Sequence, residues 1–174
     1  HGHPKRDLVA QEVIRRAETL RVPMVNIYHA LSLRALGILT AYEGDWDKSA
    51  DFLARAEALA KDLQVTERED TLVSIRLAKG MAFDAGKRST EAIEAFAAAL
   101  EEGQSLGGTR IVSEVETAFL TLTKLLIGEK DYAKILEWSA RGIEWVTNVN
   151  RTRTAAHALL LVRRAYALQQ MDKD

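Results

Sequence analysis

The chain contains no cysteine, which excludes disulfides, thiolate chemistry and cysteine-ligated zinc together. Only Pro4 and Pro23 interrupt it, so long stretches stay open to helix. Aromatic residues are 6% of the chain against an apolar total of 47%. Alanine and leucine therefore carry most of the apolar mass, as in helices packed closely through small side chains. The 24 Lys and Arg nearly balance the 25 Asp and Glu, and a formal charge of −1 supplies no field to steer nucleic acid or an anionic membrane. No apolar run approaches a membrane span, and no signal-peptide pattern precedes the first helix. The start, His1-Gly2-His3, lacks an initiator methionine and reads as a tag remnant or the edge of an internal fragment, so these histidines carry no functional weight.

What is present is self-similarity. A constant spacing of 43 residues carries Gly37 to Gly80 and Gly80 to Thr123. The same frame aligns Leu53 with Phe96 and Ser139, and Ala56 with Ala99 and Gly142. Two such steps carry Trp46 to Tyr132. A fixed period of this size marks stacked repeats, each burying its apolar face only against its neighbours. Stepping back from Ala56 reaches Val13, and stepping forward from Thr123 reaches Tyr166, so the chain is expected to begin and end on half repeats.

Helical periodicity runs throughout, with no alternating strand pattern. Leu8, Val9, Val13 and Leu20 mark a first helix, separated by Pro23 from a second over about 24–42. Asp45 or Asp47 caps a third that ends near Leu63. Thr66 with Glu69 has capping-box spacing and opens a fourth, ending at Ala85-Gly86. Ser89 opens a fifth, closed by Gly107-Gly108. The sixth runs over about 109–127, Asp131 caps a seventh to about Thr147, and Asn150 caps an eighth to about Met171. Short connections force consecutive helices antiparallel. The expected fold is all-α: an α-solenoid of about eight helices in one segment, 1–174, with units at 7–22 (half), 24–64, 67–106, 109–148 and 151–171 (half). Trp46 and Tyr132 are expected to fill wedges beside a helix pair. Leu53 and Phe96 plug seams, and Phe96→Ala is expected to cost about 3–5 kcal/mol.

These residues resemble the tetratricopeptide repeat family. Gly80, Phe83, Ala92, Phe96 and Ala99 stand in the family's order and spacing, while the unit with Leu36-Gly37 and Ala56 has Ser49 and Leu53 at the middle positions. The third copy is degenerate, with Thr123, Ile135, Ser139 and Gly142. The family's step is about 34 residues; the longer step here looks like the repeats of MalT-type bacterial regulators and Pins/LGN-like adaptors. The resemblance implies that the first helix of each pair lines a concave binding surface. Its inward positions are Arg34, Ile38 and Tyr42; Ser74, Leu77, Met81 and Asp84; Thr117, Thr121 and Lys124; and Arg163 and Ala167. Packing between repeats is the plainer role for many of these. A chaperone-type carboxylate clamp is rejected: Ile38 and Ala78 stand where Asn is needed, and Thr117 and Thr121 where cations are.

No catalytic constellation emerges. His29 and His157 lack a second His or carboxylate at metal spacing. Ser32, Ser74 and Ser105 lack a Gly-x-Ser-x-Gly setting, and Gly107-Gly108-Thr109 lacks the lysine of a phosphate loop. Glu67, Glu69 and Asp70 suit a helix start, and Glu101-Glu102 a solvated face. Arg151, Arg153, Arg163 and Arg164 are too few for a DNA-binding surface. Trp138 and Trp145 share a helical face, for core packing or an interface. Ala155 to Val162 is apolar on nearly every side, so the last helix is expected to continue into more protein or to form a homodimer. The expected function is a non-catalytic scaffold for a protein or peptide, cytoplasmic, without metal or cofactor, touching neither nucleic acid nor membrane. It would be the sensor or docking part of a bacterial transcriptional or signalling regulator, and the alternative is a small-molecule effector sensor.

Overall fold

A computed structural model describes residues 23–103 and 111–173, together with Leu8, Glu12, Arg15 and Arg16. The first helix expected at 7–22 and the Gly107-Gly108 turn lie essentially outside the described residues. Among those residues the chain is all-α, with seven helices and no strand. They are α1 (Pro23–Tyr42), α2 (Trp46–Lys61), α3 (Val65–Ala85), α4 (Ser89–Gly103), α5 (Val112–Gly128), α6 (Tyr132–Asn148) and α7 (Ala155–Met171). Pro23 holds the first position of α1, where its missing N–H removes no helical bond. The chain divides into two compact units, His1–Ala95 and Phe96–Asp174, and the division falls inside α4.

In the first unit α1 packs on α2 and α3, and α2 packs on α3. Ala30, Leu33 and Leu36 of α1 meet Ala56 and Ala60 of α2 and Ile75 of α3 in one apolar cluster. A second cluster joins Ala41, Leu53, Ala78 and Ala82. The close approach of α1 and α2 depends on Gly37, where an added Cβ would lie 2.6 Å from Cγ of Leu53. In the second unit α5 packs on α6 and α7, and α6 packs on α7. Phe119 is fully buried, its ring centroid 6.3 Å from that of Trp138 and 6.2 Å from that of Trp145. The small residue has moved to the other helix here: a Cβ on Gly142 of α6 would lie 2.9 Å from Leu160 and 3.1 Å from Phe119. Within each unit a helix thus touches the next and the next but one, which is how stacked hairpins share their cores.

The period is visible in backbone geometry as well. Gly44, Lys87 and Lys130, spaced by 43 residues, all have left-handed φ (87°, 57° and 58°). In each turn the following N–H reaches back five residues: Asp45 to Thr40 (2.9 Å), Arg88 to Phe83 (3.0 Å) and Asp131 to Leu126 (3.1 Å). The left-handed residue itself donates to Ala41, Asp84 or Ile127. This paired bonding satisfies the last carbonyls of α1, α3 and α5. Two lysines accept a conformation that glycine adopts more easily, because the turn fixes it on both sides.

The next residue caps the following helix. Asp45 and Asp131 accept from the N–H of Lys48 and Lys134 at 3.2 and 3.1 Å. That backbone N–H, and then the Lys134 ammonium, hold the Asp131 carboxyl below its ordinary 3.8. A lowered folded-state pKa contributes stability that is present above the ordinary value and lost as pH falls through the lowered one. Asp131→Ala is therefore expected to cost about 0.5–2 kcal/mol at neutral pH. Urea denaturation repeated at falling pH should show the gap between variant and parent closing below the ordinary carboxylate range.

Two helix starts depart from the sequence expectation. The helix α3 begins at Val65 with Gln64 as its cap and no side-chain capping bond, so the Thr66–Glu69 box does not open it. Asn150 does not cap α7. It takes a left-handed φ of 57° to end α6, and Thr154 caps α7 by accepting from the N–H of His157. Asn suits both roles, since its short polar side chain also tolerates the left-handed region.

Candidate functional site

The residues expected to face a ligand divide between the two units. In the first, Arg34 Nε donates to the Ser74 carbonyl at 3.3 Å, tying α1 to α3. Ser74 and Leu77 are each 2% exposed, so they belong to the interior instead of a ligand-facing row. Ile38 packs beside the Leu53 cluster. Tyr42 is 66% exposed, while Met81 and Asp84 are half-buried.

In the second unit Thr117 and Thr121 donate to carbonyls one turn back in their own helix, at 2.8 and 2.9 Å, and Lys124 is exposed. Ala167 is fully buried. Arg163 on α7 reaches across to α5, donating to the Leu120 carbonyl and, at 2.6 Å, to Thr123 Oγ1. Burial lowers its pKa, because the neutral oxygens around it replace water incompletely. Arg34 and Arg163 thus join neighbouring first helices through backbone carbonyls. The basic concentration near the C-terminal end also dissolves: Arg151 pairs with the buried Glu116 at 3.1 Å, and Arg163 is engaged with α5. Trp138 and Trp145, 5% and 7% exposed, pack in the core.

The first unit holds a cleft of about 310 Å³ between α2 and α3. Its size is near the lower end for ligand and side-chain sites. Ser49, Leu53 and Ala82, all buried, form part of its lining, and Trp46 and Phe83 add aromatic surface. Gly86 lets Trp46 lie against the end of α3, because a Cβ there would sit 3.0 Å from the indole. This is the wedge expected for Trp46. In the second unit Tyr132 packs edge-on against Tyr166 at 6.2 Å between centroids.

Two cations, Lys79 and Arg88, are the charged side chains lining the cleft. Arg88 stands where the other two turns carry the capping aspartates Asp45 and Asp131. Having no acceptor, it cannot cap. Its guanidinium lies over the Phe83 ring at 4.8 Å and pairs with Glu91 at 2.8 Å. Lys79 bonds to Glu57, which also has Lys61 at 3.8 Å and Arg76 at 3.9 Å. The Lys79 bond, with those further cations, holds the Glu57 carboxyl low. Each cleft cation thus already faces a carboxylate, Lys79 on Glu57 and Arg88 on Glu91, and Glu57 has two further cations near it. Sequence reading passed over Lys79 and Arg88; the aspartate-to-arginine change in the repeat frame was the available signal.

No helix among the described residues is long and apolar enough to cross a membrane. No group of three or more metal-ligating side chains occurs among them. No family model and no curated protein matches the chain. Among solved structures, BtubC (BKLC) from P. vanneervenii is similar in fold, with a TM-score of 0.77 over 97% of this chain and 17% sequence identity. The chain spans 66% of that protein. At this identity the likeness concerns the fold alone.

Proposed function

We propose that the chain is a tetratricopeptide-like interaction module that binds a protein or peptide partner and performs no chemistry. The observation that carries this reading is the cleft between α2 and α3, with its buried apolar lining, the Trp46 and Phe83 rings, and the cations Lys79 and Arg88. An apolar anchor side chain flanked by carboxylates suits such a site: the lining desolvates the anchor, and the cations reward the flanks. The 43-residue recurrence of the left-handed turn supports the repeat part of the reading. On the resemblance to MalT-type repeats, the module would serve as the docking or sensor part of a cytoplasmic bacterial regulator. The cleft volume also suits a small organic anion, which keeps an effector sensor as the second reading.

Screening an array of acidic peptides with single apolar anchors, beside a metabolite panel in thermal shift, separates the two. The expected result is peptide binding at micromolar affinity that Trp46→Ala weakens by about tenfold, with a flat metabolite panel. Stabilisation by a metabolite that Trp46→Ala abolishes, with every peptide silent, would replace the scaffold with the sensor.

A further inference from the structure

The row Ala158, Leu161, Ala165 and Leu168 runs along α7 at spacings of three, four and three residues, which sets it on one helical face. All four are exposed, Leu161 at 46% and Leu168 at 49%. The body of the second unit lies on the far side of the helix, where Ala156, Leu160 and Ala167 are buried. Small and large residues alternate along the row, and no charged side chain falls within it. Asp172, the C-cap of α7, continues the row by one turn, and Thr154, the N-cap, precedes it by one turn. Each end of the row carries a charge of the wrong sign for its own helix. Exposed Asp172 stands at the negative C-terminal end, and exposed Arg153 adjoins the positive N-terminal end.

We infer that α7 pairs with the α7 of a second copy of this chain, antiparallel, about a two-fold axis level with Arg163. Apolar positions spaced by three and four residues form the seam of a helix pair. In the antiparallel register Leu161 of each copy meets Ala165 of the other, and Leu168 meets Ala158, so every large side chain faces a small one. A parallel pair would instead set Ala158 on Ala158 and Ala165 on Ala165, leaving gaps between the leucines. Charge selects the same arrangement. The two-fold brings Asp172 of one copy to Thr154 of the other, at the positive start of that helix and beside Arg153. Both mismatched charges are thereby matched, whereas parallel pairing would set Asp172 on Asp172 and Arg153 on Arg153. Arg164 is exposed at the edge of the row, where its long side chain reaches water. The inference is independent of the cleft between α2 and α3.

Sedimentation equilibrium of the full chain is expected to show a monomer–dimer equilibrium that Leu161→Glu weakens at least about tenfold, with unchanged circular dichroism. Arg153→Asp and Asp172→Arg should each weaken the dimer about threefold or more, and the double variant should recover parental association. Because the chain has no native cysteine, oxidation can read the register. Ala158→Cys and Leu168→Cys chains should each stay uncrosslinked alone, since equal positions lie about 15 Å apart along the antiparallel pair, beyond disulfide reach. Mixed, the two chains should form a disulfide-linked dimer. A chain that is monomeric at every concentration, a dimer untouched by Leu161→Glu, crosslinking of either cysteine chain with itself, or a mixture that fails to crosslink would overturn the inference. Trp46→Ala should leave dimerisation unaltered, so failure here and failure of the cleft reading are distinguishable.

Discussion

Phe119→Ala is expected to cost about 3–5 kcal/mol and to show its damage first at Trp138 and Trp145. Phe119 is fully buried, its ring lies within aromatic-pairing distance of both indoles, and the missing side chain of Gly142 makes room for it. Truncation loses the transfer free energy of the ring and leaves a hole that α6 cannot close without turning both tryptophans. Each aromatic pair adds about 0.5–1.5 kcal/mol beyond its buried area. Urea melts followed by tryptophan emission should show an early red shift from Trp138 and Trp145. Trp46, in the other unit and 39% exposed, should contribute little to that shift. A loss under about 1 kcal/mol would mean that α5 and α6 do not enclose Phe119 as described.

Gly37→Thr is expected to destabilise by about 1–3 kcal/mol despite improving helix propensity. An added Cβ would fall 2.6 and 2.8 Å from Leu53 Cγ and Cδ2 and 3.3 Å from the Ser49 carbonyl. Leu53 is 3% exposed and packs with Ala41, Ala78 and Ala82, so swinging it toward the adjoining cleft would give up those contacts. The Gly37 carbonyl also accepts from Ser49 Oγ at 2.7 Å, a bond that a shift of α1 away from α2 would stretch. Replacing a mid-helix glycine by threonine recovers only a few tenths of a kcal/mol, so the clash decides the sign. A thermal melt of the variant against the parent reads the effect directly, and an unchanged or higher midpoint would show that the helices are not in close contact there.

What the sequence reveals and what it conceals can be traced to particular residues. The spacing of Gly37, Gly80 and Thr123 exposed the hairpin frame, because close helix contacts restrict size at fixed positions. That the left-handed turn residue is lysine at Lys87 and Lys130 was hidden, since only Gly44 carries the usual marker. Asn150 was ambiguous by chemistry, and the Thr66–Glu69 spacing matched a capping box inside a helix that had already begun at Val65. Leu77 and Ser74 read as groove residues from their place in the frame, yet they are buried; spacing gives a direction but not what covers it. The cleft was illegible because Trp46 and Phe83 come together only once α2 and α3 pack. Even so, Arg88 in the place of a capping aspartate marked the turn that departs from the others.

The interchangeable first-to-second-helix interface is tested most directly by transplanting one unit's pair into the other. Gly37→Thr with Leu53→Ser gives the first hairpin the residues of Thr123 and Ser139, and the double-mutant cycle compares it with each single change. Since Ser makes the room that Thr takes up, the double variant is expected to be more stable than the summed single costs imply, by about 0.5–3 kcal/mol. Additive losses, or a double variant worse than their sum, would show that the two hairpins are not built on a common plan.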